Sequence, residues 1–186
     1  MTHRLTKATI PPVPASFSPR SVVKVWSLTF CGSIAWLAAI FLAPWLSGRG
    51  ASGAARFVYA AFAPFCHQIA ERCFVVSGHP LAVCGRCLGI YAGFAAGLIL
   101  YPLVRGFTRI SLPQTRLFLM SMLPMAVDAV AGLLGFWSSP IEFRFVTGFA
   151  WGMILPFYFV TGVVDLLRTR KTRAAARGLE KRAVTK

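Results

Sequence analysis

Four apolar stretches, at about 22–46, 84–104, 116–137 and 143–167, restrict this chain more than any other feature. A helix rises about 1.5 Å per residue, so about twenty apolar residues match a hydrocarbon core about 30 Å thick. Lipid offers no water to backbone N–H and C=O groups, and a helix satisfies them within one segment. Composition agrees: 56% of the 186 residues are hydrophobic and the mean hydropathy is +0.65, well beyond an ordinary soluble domain. The expected fold is an all-α integral membrane protein with four transmembrane helices. A shorter apolar piece at 54–65 cannot cross and suits an interfacial helix. Pro64 would end or kink it just before Cys66.

The flanks are different in kind. Residues 1–20 hold Pro11, Pro12, Pro14 and Pro19 with only basic charges, the composition of a disordered cationic lead-in. The membrane domain then runs over 21–168, and a basic tail occupies 169–186. The first apolar run is too long for a signal-peptide core of about 7–15 residues. A net charge of +15 raises nucleic acid as a partner. The basic residues, however, cluster at the ends of apolar segments, which is a topology signal and argues for a lipid bilayer instead.

Fifteen Lys and Arg fall before the first helix, between the second and third, and after the fourth; five fall on the opposite side. The positive-inside rule then puts both termini in the cytoplasm. The loop between the first and second helices faces out. Gly85, Gly89, Gly93 and Gly97 recur every four residues, a ridge on one face of the second helix. In lipid such a ridge admits another backbone closely. It fits a second copy of the chain, making a homo-oligomer, as well as a helix of its own bundle.

The loop that faces out carries four of the five cysteines: Cys66 and Cys73, then Cys84-Gly85-Arg86-Cys87. Cys31 stands apart within the first helix, a small packing residue. Cys84 opens the second helix, where free N–H groups and the helix dipole favour a thiolate. Thiolate is both the soft metal ligand and the nucleophile of disulfide exchange, so two chemistries stay open. For a metal, Cys84 and Cys87 form half of a tetrahedral site and Cys66 with His67 or Cys73 the other half. Glu71, one turn from His67, is spaced to hydrogen-bond it. Sulfur with one imidazole suits zinc, with copper and iron behind it. For redox, Cys84 and Cys87 cycle against Cys66 and a quinone, a membrane thiol oxidoreductase. A third reading is a structural disulfide that staples the loop. Cys66 and Cys73 could not bridge along an unbroken helix, being roughly 10 Å apart. His79, beside Pro80 in the turn at 77–80, reads as a solvated loop residue.

One carboxylate is out of place. Asp128 lies well inside the third apolar run, where an unpaired charge is costly and marks function or an ion pair. Arg144 or Arg86 is the natural partner, since both belong to the same side of the membrane. Pro124, four residues earlier, frees the carbonyl of Met120.

Cys66-His67-Gln68, Glu71-Arg72, the run Val83 to Gly93 containing Cys84-Gly85-Arg86-Cys87, the run Pro124 to Asp128 and Arg144 to Gly148 together resemble the prokaryotic membrane-protein family called domain of unknown function 2085. The resemblance covers roughly residues 60–160. It implies a multi-helix membrane protein and carries no assigned activity. Where this chain has Cys73 and Ala129 the family pattern has serine and glycine. The resemblance thus implies that Cys73 is dispensable, leaving Cys66, His67, Cys84 and Cys87 as the candidate metal ligands, above a polar set of Asp128, Arg144 and Arg86.

Overall fold

The computed structural model describes residues 19–107 and 114–184. The expected lead-in at 1–20 therefore lies almost wholly outside the described residues, as do the last two residues of the tail. Five α-helices follow one another: α1 (Pro19–Gly48), α2 (Ser52–Phe62), α3 (Gly85–Arg105), α4 (Thr115–Leu133) and α5 (Ile141–Val184). α1, α3, α4 and the membrane part of α5 are long and apolar enough to cross a bilayer. α2, at 11 residues, is not. Leu28, Leu103 and Leu133 point outward with most of their surface exposed, which suits a bundle whose solvent is lipid.

Local chemistry explains where the elements stop. α2 ends at Phe62, two residues short of Pro64. α4 closes earlier than the apolar run suggests. Gly135 takes φ +77° and the Phe136 N–H reaches back to the Ala131 carbonyl at 3.1 Å, a glycine stop that outweighs the apolar residues beyond it. α5 does the reverse. It runs unbroken for 44 residues, continuing from the membrane span into the basic tail as far as Val184. Ala, Arg, Lys, Leu and Glu predominate there and no proline intervenes.

The central contact is α3 against α5, and glycine makes it. A Cβ added at Gly89 would overlap the Phe145 carbonyl, one at Gly93 the Phe149 carbonyl, and one at Gly97 the Met153 carbonyl. The fit is reciprocal, because a Cβ at Gly148 or Gly152 of α5 would overlap the carbonyl of Arg86 or Ile90. Without hydrophobic drive in lipid, such backbone approach maximises dispersion. The ridge is therefore spent on the chain's own α5 and does not face a second copy.

α1 lies across this pair. At one end the Trp26 indole N–H donates to the Leu98 carbonyl at 2.8 Å, beside buried Val22, Tyr101 and Val160. At the other end Ile40 and Ala43 meet Phe62, Cys66 and Leu81 to Val83. α4 packs against α5 from outside, and its buried residue is Asp128. Between α2 and α3 the chain forms a 3-10 turn (Ala70–Arg72) and a small hairpin, β1 (Val75–Val76) with antiparallel β2 (His79–Pro80). Ser77 and Gly78 both take positive φ, +52° and +79°, as a two-residue hairpin turn demands. His79 is thus a half-buried strand residue and not a solvated loop residue.

Candidate functional site

Two chain segments meet at the end of the bundle that carries α2. Cys84 is the residue before α3, with extended backbone (φ −70°, ψ 162°), and Cys87 lies in the first turn. Side chains at these two positions stand over the same end of a helix. Cys66 comes from the other direction. The turn after α2 hydrogen-bonds Cys66 N–H to the Phe62 carbonyl at 3.1 Å, which delivers its sulfur to the start of α3. The Sγ atoms of Cys66, Cys84 and Cys87 then all lie within 4.8 Å of one another.

Gln68 holds the two segments together. Its φ is +52°, a left-handed conformation uncommon outside glycine and asparagine. The bend lets its amide Nε2 donate to the Tyr59 carbonyl of α2 at 2.7 Å and to the Ala82 carbonyl ahead of α3 at 2.8 Å. Tyr59 completes the brace, its hydroxyl donating to the Pro80 carbonyl at 2.6 Å. In the sequence Gln68 stands out only as the third residue of Cys66-His67-Gln68. No periodicity could reveal the clamp, because its partners lie nine residues back in α2 and fourteen residues on in irregular chain.

The electrostatics single out Cys66. Its sulfur is faced by the thiols of Cys84 and Cys87, and accepts backbone N–H groups from Cys84 at 3.2 Å and Gln68 at 3.5 Å. These donors hold its pKa well below the ordinary thiol range, those two thiols first, and they outweigh the burial that would raise it. Cys73 behaves oppositely. Burial, with the nearby Cys84 and Cys66 adding repulsion, pushes its pKa up to about 11, and its thiol donates to the Ile69 carbonyl at 3.2 Å. It is a buried packing thiol outside the sulfur trio. All five cysteines are free thiols, and Cys31 is exposed on α1 rather than packed in the bundle.

His67 is not part of the trio. Its side chain is exposed and lines the rim of a cleft of about 380 Å³, together with Cys66, Cys84, Cys87, Arg72 and Arg144. The set of four expected ligands therefore reduces to three converging sulfurs, because the tight turn after Cys66 sends successive side chains in different directions.

Beneath the sulfurs lies the polar set. Arg86, between the two cysteines of α3, forms an ion pair and hydrogen bond with the Asp128 carboxylate. Arg144 does not take that role: its Nε donates to the Ser139 carbonyl at 3.0 Å, although its guanidinium remains close enough to feel Asp128. Asp128, Arg144 and Ser139 are all buried. Ser139 was not among the residues expected here, as it lies in the short connection before α5.

A family described as "Predicted membrane protein (DUF2085)" matches residues 66–158, the span from the first clustered cysteine into α5. An uncharacterized protein of Methanocaldococcus jannaschii is 34% identical over 142 residues, covering 74% of this chain and 91% of the relative. A second uncharacterized protein, from Methanothermobacter thermautotrophicus, is 34% identical over 92 residues, 50% of this chain and 81% of its own length. No solved structure matches the chain.

Proposed function

The chain belongs to this DUF2085 family of predicted membrane proteins, and from that premise we propose that Cys66, Cys84 and Cys87 bind one soft metal ion at the membrane surface. The observation that carries the reading is the convergence of three sulfurs from two separate segments within 4.8 Å. Three thiolates at about 2.3 Å from one tetrahedral ion stand about 3.8 Å apart, which lies inside the span these three sulfurs occupy. Backbone N–H groups already directed at Cys66 Sγ are the donors that stabilise a thiolate ligand. Zinc suits this donor set best, with copper(I) next.

Three protein ligands leave the fourth position of a tetrahedral ion open, as in sites that exchange a ligand and unlike closed structural sites. Because Cys66, Cys84 and Cys87 all line the cleft, an ion held by them would be reachable from it. A bound ion would supply Lewis acidity there, while Gln68 keeps the two sulfur-bearing segments in register. The reading is of metal handling or a metal-dependent step at the membrane. The distribution of basic residues supports an extracytoplasmic site with both termini in the cytoplasm of a prokaryotic inner membrane, and reporter fusions to the C terminus test that.

Elemental analysis of protein purified without a polyhistidine tag tests the site itself. The expected result is one metal per chain, lost in Cys66→Ser or Cys84→Ser and kept in His67→Ala and Cys73→Ser. Metal-free protein whose reduced thiols are reoxidised by a quinone would overturn the reading in favour of thiol oxidoreduction by Cys84, Cys87 and Cys66.

A further inference from the structure

The cleft beside the sulfur trio is lined by more positive charge than any internal group balances. Arg72, Arg86 and Arg144 all line it. Arg86 is matched by Asp128, while Glu71 is exposed and not among the lining residues. Three guanidiniums against one carboxylate leave two positive charges before the sulfurs are counted, since arginine stays protonated in proteins. One thiolate on Cys66, or a divalent ion held by three thiolates, takes away one and leaves the excess at one. The cleft is cationic either way.

Arg144 shows where that charge is aimed. It is only 6% exposed, and among the described residues its one hydrogen bond runs from Nε to the Ser139 carbonyl. Its Nη groups have no hydrogen-bond partner among the described residues, are not fully sealed from solvent, and belong to a side chain that lines the cleft. A largely buried guanidinium with four of its five N–H donors lacking a protein partner favours an anion that can accept them. Its forked geometry matches the two oxygens of a carboxylate or phosphate. Arg72, exposed on the 3-10 turn, is placed to meet the same ligand from the solvent side.

We infer that the cleft is an oxyanion site, taking a phosphate or carboxylate group with Arg144 as the buried anchor and Arg72 at its entrance. The site goes beyond the metal reading and does not depend on it, because the positive excess exists with or without an ion on the sulfurs. The oxyanion can come from a soluble molecule or from the headgroup of an anionic lipid, and the two sources share this chemistry.

Full-length protein in dodecyl maltoside micelles, titrated with labelled inorganic phosphate, tests the soluble source. Full-length protein in nanodiscs of phosphatidylcholine with or without phosphatidylglycerol, analysed for retained lipid by native mass spectrometry, tests the headgroup source. Arg144→Gln is expected to weaken the anion bound about tenfold to a hundredfold, the loss of one charge-assisted pair. Arg144→Lys should fall between. Arg49→Gln, whose guanidinium stacks on Trp45 at 4.0 Å outside the cleft, should leave binding unchanged. If Arg144→Gln does not fold, Arg72→Gln on the exposed turn provides the same comparison with a smaller expected loss. Saturable binding of either anion that depends on these arginines supports the site, whether or not metal is found in the same sample. Wild-type protein that binds neither anion more tightly than the variants overturns it.

Discussion

Arg86, flanked by the two cysteines of α3, is bonded to Asp128, the buried residue of α4. One contact therefore ties the most peripheral helix to the helix that carries the thiols. α4 turns most of its leucines and valines outward to lipid, and besides this pair it is held by Phe118 packing against Trp151 and Tyr158 of α5. Removing one partner leaves an uncompensated charge in a region of low dielectric. Asp128→Asn should cost about 3–5 kcal/mol, read by thermal unfolding in micelles. The double variant Arg86→Met with Asp128→Leu should recover much of that loss, and additive losses would refute the coupling.

The glycine contact between α3 and α5 predicts a sharp positional contrast. Gly93→Ala pushes a methyl group into the Phe149 carbonyl, and backbone cannot step aside as a side chain can. Destabilisation of about 1–3 kcal/mol or more is expected. Gly162→Ala, with nothing within 4 Å, should be neutral or slightly stabilising through helix propensity. Equal effects at both positions in a denaturation series would contradict the close approach.

Gln68 should matter out of proportion to its exposure. Gln68→Ala removes both Nε2 donors and strands the Tyr59 and Ala82 carbonyls, at about 1–3 kcal/mol. Because the clamp sets the spacing between Cys66 and Cys84, zinc affinity measured by chelator competition should drop about tenfold to a hundredfold. Gln68→Glu, which keeps the shape but supplies no donor, should fare no better.

Cys73 gives a pH signature with a definite sign. Its pKa is about 11 in the folded protein against about 8.5 in an unfolded chain. As pH rises through the unfolded value the unfolded state loses its proton first and is favoured. The stability contributed by the protonated thiol is thus full below about 8.5 and lost progressively toward about 11. Wild-type protein should lose more stability over that window than Cys73→Ala. Iodoacetamide should likewise modify Cys73 slowly at neutral pH. Rapid alkylation there would show that the thiol is neither buried nor held protonated.

Much of this architecture can be read from the chain itself. Lengths of apolar sequence are set by bilayer thickness, so four spans and the short α2 follow from local composition. A four-residue glycine repeat is a property of one helix face, and Cys84 beside a helix start is a property of one turn. These features depend on neighbours along the chain, and neighbours along the chain are what a sequence displays.

What the tertiary structure alone decided are the meetings between distant segments. The glycine ridge met α5 of the same chain because Gly148 and Gly152 stand in register with it, a relation that either helix in isolation leaves open. Cys66 joined Cys84 and Cys87 while His67, one residue along, did not, because a left-handed bend at Gln68 and its two carbonyl partners set the direction of the turn. Asp128 chose Arg86 over Arg144 because the packing of α3 against α5 brings the first turn of α3 to α4 and leaves Arg144 to the Ser139 carbonyl. Local propensity fixes which elements form; side-chain direction at their crossings, which sets the chemistry, depends on packing that no stretch of chain contains by itself.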